Sequence, residues 1–215
     1  NEPINFDFIC FDNLNLKEEI SEFTTINGKQ VGVPKALQEY LGENPNADLG
    51  WQLNEDDDSP FYKRITRTTM GPGHLFALHS VAKNIGRTFQ HGSLQDLDQG
   101  TKKNALIKYW NYIKQENEVA WQDAGREKKK DHTHKLLELT GFISWSIVAP
   151  EILLKGFDPN DDSFDWHEIE KVISFISQDF DWDKKGEFYG KTGEFGGRLI
   201  ANHLQNALGF YSTED

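Results

Sequence analysis

Thr101-Lys-Lys-Asn-Ala-Leu106-Ile-Lys-Tyr109-Trp110-Asn-Tyr-Ile113-Lys-Gln-Glu-Asn-Glu-Val-Ala120-Trp121 decides the fold class. Leu106, Tyr109, Trp110, Ile113, Ala120 and Trp121 recur at steps of three and four, which puts them on one face of an α-helix. The spacing predicts one long helix from near Thr101, stopped at Gly125. Downstream, residues 133–149 read as an apolar helix that Pro150 bends or ends, because proline lacks the amide a helix needs. Asp165 with Glu168 forms a capping-box pattern ahead of Ile169, Val172, Ile173 and Ile176. A last helix is expected from about Gly197 to Leu208, with Leu199, Ile200, Leu204 and Leu208 inward. Residues 186–197 read as a glycine-rich loop.

Upstream of the long helix the pattern is more broken. Pro60 opens an expected short helix through Ile65, Met70-Gly-Pro-Gly73 breaks it, residues 74–86 look helical and residues 88–100 are rich in turns. Residues 43–59 are polar and turn-rich, and the acidic run Glu55–Asp58 reads as a solvated loop. Asn15 and Glu18 make another capping-box pattern, with Leu16, Ile20 and Phe23 on one face, ending near Asn27-Gly28. Pro34 suits the first turn of a helix closed by Gly42. Ile4-Asn-Phe6-Asp-Phe-Ile-Cys10-Phe11 alternates and then runs apolar, the mark of a short strand. A strand needs partners along its edges, and no comparable strand follows. The expected architecture is therefore mainly α, with one or a few short strands belonging to a sheet completed from outside these residues. Residues 1–42 form the end of an α/β unit and residues 43–215 a helical domain.

Composition limits the function classes. The chain has 215 residues, 15 Phe and 6 Trp, which supply a packed core despite modest average hydrophobicity. Its net charge of −12 argues against tight, sequence-independent DNA binding by the bulk of the surface, since phosphate neutralisation drives such binding. A local basic patch remains compatible with it. One cysteine, Cys10, excludes an intrachain disulfide and a cysteine-based zinc site. No apolar run approaches the roughly 20 residues of a membrane span. Asn1-Glu2-Pro3 resembles neither a signal peptide nor a start, so a piece of a longer, cytoplasmic protein is expected. There is no tandem repeat.

Three stretches carry a resemblance. Leu16-Lys-Glu-Glu-Ile-Ser-Glu-Phe23-Thr-Thr-Ile26-Asn27-Gly-Lys29-Gln30-Val31 is an acidic helix followed by Phe-x-x-Ile-Asn-x-x-Gln. Leu53-Asn-Glu-Asp-Asp-Asp-Ser59-Pro-Phe-Tyr-Lys-Arg-Ile65 is an acidic stretch, Ser-Pro-Phe, a basic pair and an Ile. The third runs from Leu106 to Trp121 and then from Lys135 to Pro150, with Leu-x-x-Thr-Gly-Phe inside it. In this order they resemble the DGQHR-domain family, which includes the DNA-phosphorothioation regulator DndB and proteins of mobile elements. The resemblance implies a ParB/sulfiredoxin-like N-terminal fold and a DNA-associated regulatory role. The Asp-Gly-Gln-His-Arg motif itself is absent from these residues. Any nucleotide cofactor is therefore expected of the full-length protein and not of this part, as is any ParB-like hydrolase or nuclease activity. Asn27 and Gln30 match the family's Asn-x-x-Gln positions.

Several residues are candidates for contact. Asn27, Lys29 and Gln30, just past a helix end, offer donors, acceptors and a cation to a phosphate or base edge; the ordinary alternative is loop bracing. Lys63, Arg64 and Arg67 are nucleic-acid-contact candidates, with Lys63 and Arg67 on one face if residues 60–67 are helical; the alternative is charge balance against Glu55–Asp58. Arg126, Lys128, Lys129 and Lys130 form a second basic patch. His132, His134, Asp131 and Glu138 lack the further ligands of a metal site, and a solvated helix start is expected. Asp158, Asn160 and Asp162 imitate a calcium loop, but Ser163 stands where glycine is needed and Ile169 where glutamate is. Gly190-Lys-Thr-Gly193 does not have P-loop spacing. No metal is assigned. Expected partners are DNA through the full-length protein, a protein partner or a second copy, and no membrane.

Overall fold

The computed structural model describes Asn15, residues 17–19, 44–178 and 180–211. The expected strand at residues 4–11, Cys10, the Leu16-Ile20-Phe23 face and the Pro34 helix lie outside the described residues. The Asn15 cap is there: its Oδ1 accepts from the amides of Lys17 (3.0 Å) and Glu18 (3.1 Å), and Glu18 Oε2 accepts the Asn15 amide at 2.9 Å.

The rest is mainly helical. In chain order come α1 (Pro45–Glu55), β1 (Ile65–Thr66), β2 (Phe76–Ala77), α2 (Leu78–Thr88), the one-turn α3 (Gly92–Gln95), α4 (Gln99–Glu116), α5 (Glu118–Trp121), α6 (Leu139–Gly156), β3 (Phe157–Asp158), β4 (Ser163–Phe164), α7 (Trp166–Ser177) and α8 (Gly193–Tyr211). β1 and β2 pair in parallel, Ile65 opposite Phe76, and β3 and β4 pair antiparallel, Phe157 opposite Phe164. Each sheet has two strands. No described helix is long and apolar enough to cross a membrane.

α6 is the central element. Phe142, Trp145, Val148, Ala149, Ile152 and Leu153 are all buried, and α2, α7 and α8 pack around it. One end of the core is an aromatic cluster. Phe142 stacks on Phe76 at 4.3 Å and on Trp110 at 4.9 Å, while Phe61 meets Phe76, Trp110 and Phe142 edge-on at 5.2 to 5.8 Å. Stacked and edge-on rings at these spacings add to the gain from burial alone.

Several expectations need correction. The helix read as continuous to Gly125 breaks at Asn117, where φ is −124° and ψ 43°. There the Asn117 amide group donates to Ile113 O and Ser177 Oγ, and its oxygen accepts from Trp182 Nε1 at 2.8 Å. A buried polar knot outweighs helix continuation. Residues 45–55, read as part of a turn-rich stretch, form α1, because Asn44 caps it by accepting from Asn46 N and Ala47 N and Ala47, Leu49 and Leu53 bury one face; residues 60–65 are turns ending in a strand. Residues 133–138 are not helical, because Asp123 holds Thr133 and His134 from outside the chain's own ladder. Pro150 lies inside α6 and does not end it; the amide it lacks is the one that would reach Ser146 O. The final helix begins at Gly193, four residues early. A Cβ on Gly197 would stand 2.5 Å from Ile143 Cγ2, so the glycine lets α8 approach α6 closely. Asp165 caps α7, accepting from His167 N and Glu168 N, but Glu168 turns away to Tyr211 and Lys171 and does not close the box.

Candidate nucleic-acid interface

Asn54, in the last turn of α1, sets the geometry of the first basic segment. Its carbonyl accepts from Lys63 N at 2.9 Å and its side-chain oxygen from Ile65 N at 2.8 Å. Ser59 Oγ accepts from Phe61 N, which turns the Phe61 ring into the aromatic core. Between these anchors Lys63 is forced to φ 56°, a left-handed conformation that side chains other than glycine rarely adopt. A helix over residues 60–67 is therefore excluded, and Lys63 and Arg67 do not share a helical face.

The three basic residues have different surroundings. Lys63 is exposed, with Nζ 4.7 Å from the centre of the Tyr62 ring. Arg64 Nη1 donates to Gly73 O at 3.0 Å. The Arg67 guanidinium lies 3.6 Å over the Trp51 ring, and Trp51 Nε1 donates to Glu55 Oε1.

The second basic segment is built on Asp123, which is buried. Its carboxylate accepts from Thr133 N at 2.9 Å and His134 N at 2.7 Å, and meets Arg126 Nε at 3.2 Å. Arg126 also donates to Asp131 O. Lys128 and Lys130 are exposed on this loop. The two segments, more than fifty residues apart in sequence, meet at one residue: Gly73 accepts from Arg64 and donates its own amide to Glu127 O at 3.2 Å. Gly73 has φ 80°, which explains the glycine. Glu127, whose carbonyl accepts the Gly73 amide, brings an exposed carboxylate to the same place. The structure thus brings together Arg64 and the Arg126–Lys130 loop; Asn27, Lys29 and Gln30 lie outside the described residues.

Two other places deserve comparison. A groove of about 450 Å³ is lined by Asp56, Asp58, Asp162, Lys108, Phe164 and Trp166, among others. The carboxylates of Asp56, Asp57 and Asp58 approach within 4.8 Å of one another, but Asp56 already pairs with Lys103 at 2.5 Å, whose hydrogen bond holds its carboxyl below the ordinary range. Sequence reasoning missed this groove, because it forms only where the β3–β4 hairpin meets α4. At the start of α8, Glu194 accepts from Arg87 at 2.5 Å and also pairs with Arg198 and Lys83. The Arg87 hydrogen bond lowers its pKa from 4.5 to about 2, assisted by Lys83 and opposed by desolvation. His134 and Glu138 do not converge on a metal: His134 faces Asp123, and Glu138 pairs with Lys184 at 2.7 Å.

These features define a mainly helical protein in which two basic segments, Arg64 and the Arg126–Lys130 loop, meet at Gly73. Compared with family models, curated proteins and solved structures, the chain matches none.

Proposed function

We propose that this chain is part of a DNA-associated regulatory protein of the DGQHR type, similar to DndB, and that its helical body faces nucleic acid through the Gly73 junction. The observation that carries the contact surface is the double hydrogen bond at Gly73, which joins the Arg64 turn to the Arg126–Lys130 loop. The family reading rests on the three sequence stretches. A few exposed cations, Arg126, Lys128 and Lys130, beside Arg64 on an acidic molecule suit a weak, salt-sensitive contact in support of a stronger site elsewhere in the protein. Any nucleotide chemistry belongs to that other site, and a cytoplasmic location follows from the same reading.

Fluorescence anisotropy with labelled duplex DNA tests the contact. Binding is expected at low salt, and Lys128→Ala/Lys130→Ala is expected to weaken it and flatten the salt slope by up to about 2, one unit per lost phosphate contact. An unchanged slope sinks the junction. Coding sequence upstream of Asn1 that lacks Asp-Gly-Gln-His-Arg sinks the kinship.

The groove beside Trp166 favours a second reading, a protein-interaction module. Asp58 and Asp162 with the rings of Phe164 and Trp166 suit a basic segment of a partner protein. Binding of an arginine-rich peptide that Asp58→Asn/Asp162→Asn abolishes, without DNA binding, would favour it.

A further inference from the structure

We propose that Tyr62 and Lys63 form a stacking point for single-stranded nucleic acid at the edge of the Gly73 junction. The inference rests on the nucleic-acid reading above and adds the form of the ligand.

The backbone makes the first argument. The turn between Asn54 and Ile65 needs a residue with positive φ at position 63, and glycine or asparagine fills such places without strain. Lysine stands there instead. Strained conformations of this kind gather where a side chain has a task. What the conformation does achieve is visible: it sets the Lys63 ammonium 4.7 Å from the centre of the Tyr62 ring.

The ring makes the second argument. Tyr62 is 38% exposed, whereas its neighbour Phe61 is 1% exposed in the core. The turn thus sends one aromatic inward and keeps the next at the surface. Met70, on the loop that leads to Gly73, is also 40% exposed. The Lys63 ammonium lies over one face of this ring, so a base stacks on the ring's uncovered surface, and the ammonium, with Arg64 next in sequence, offers the adjoining phosphate a cation. Duplex DNA hides its base faces and cannot use the ring; a single strand can. Stacking is indifferent to base identity, so little sequence preference is expected. Asp57 and Asp58 in the same turn repel the backbone, so the contact should be clearest at low salt.

The test is anisotropy at low salt with a short labelled oligothymidine and a hairpin duplex of the same charge. Wild type is expected to bind the single strand more tightly. Tyr62→Ala should weaken single-strand binding about tenfold and leave the duplex nearly unchanged. Lys63→Gly should also weaken it while raising Tm, because strain is relieved as the cation is lost; a purely structural lysine would leave binding unmoved. If the duplex binds as well as the single strand, or both variants bind like wild type, the stacking point is overturned and the junction reading stands. If neither nucleic acid binds, both fall.

Discussion

Asp123 shows how much one buried side chain decides. It is 1% exposed and reaches across ten residues to hold the amides of Thr133 and His134, so the chain cannot start a helix there. Asp123→Ala leaves two amides without their acceptor, at a cost of about 2–3 kcal/mol. Urea unfolding should report that loss, with Asp123→Asn recovering part of it; an unchanged midpoint would mean that water replaces the carboxylate fully. Asn54 and Asn117 work in the same manner: Asn54 holds the amides of Lys63 and Ile65, and Asn117 bonds to Ser177 and Trp182. None of these roles was legible in the sequence. A single aspartate or asparagine carries no periodic signal, and its partners are chosen by the fold. The caps at Asn15 and Asp165 were legible, because a cap bonds to amides two and three residues ahead in its own chain.

At the scale of elements, apolar periodicity was a good guide to faces and a poor one to boundaries. Leu106, Tyr109, Trp110 and Ile113 of α4 are buried as their spacing required, and so are Ile169, Val172, Ile173 and Ile176 of α7. The ends went astray where glycine was taken as a loop signal. Gly196 and Gly197 lie inside α8, where they permit contact with Thr140 and Ile143 of α6. Gly197→Ala would drive a methyl to 2.5 Å from Ile143 Cγ2. Although alanine is the better helix former, the overpacking should dominate and destabilise by about 1–3 kcal/mol. A denaturant midpoint at or above wild type would show that α6 and α8 yield easily. Gly209, with open space around its missing Cβ, supplies the control: alanine there should be neutral or stabilising.

Across the whole molecule, charge is distributed unevenly. A chain of net charge −12 nevertheless joins Arg64 to the Arg126–Lys130 loop and draws Lys83, Arg87 and Arg198 around Glu194. The Glu194 knot ties α8 to α2, and its pH dependence has a definite sign. The folded pKa, about 2, lies below that of the unfolded carboxyl, so the stabilisation is present above about pH 4.5 and fades as pH falls toward 2. Because Glu194 is 39% exposed, solvent screening limits it to about 1 kcal/mol. Glu194→Gln should therefore lower Tm at neutral pH and approach the wild type near pH 2. An equal deficit at both ends would assign the loss to packing. By itself the sequence determined the helical class, the buried faces of α4 and α7 and the local caps, because periodicity and capping act over a few residues along one chain. Only the tertiary structure decided the break at Asn117, the burial of the α8 glycines, the groove beside Trp166 and the meeting of basic segments at Gly73. Those depend on contacts between residues far apart in sequence, whose pairing exists only once the helices have packed.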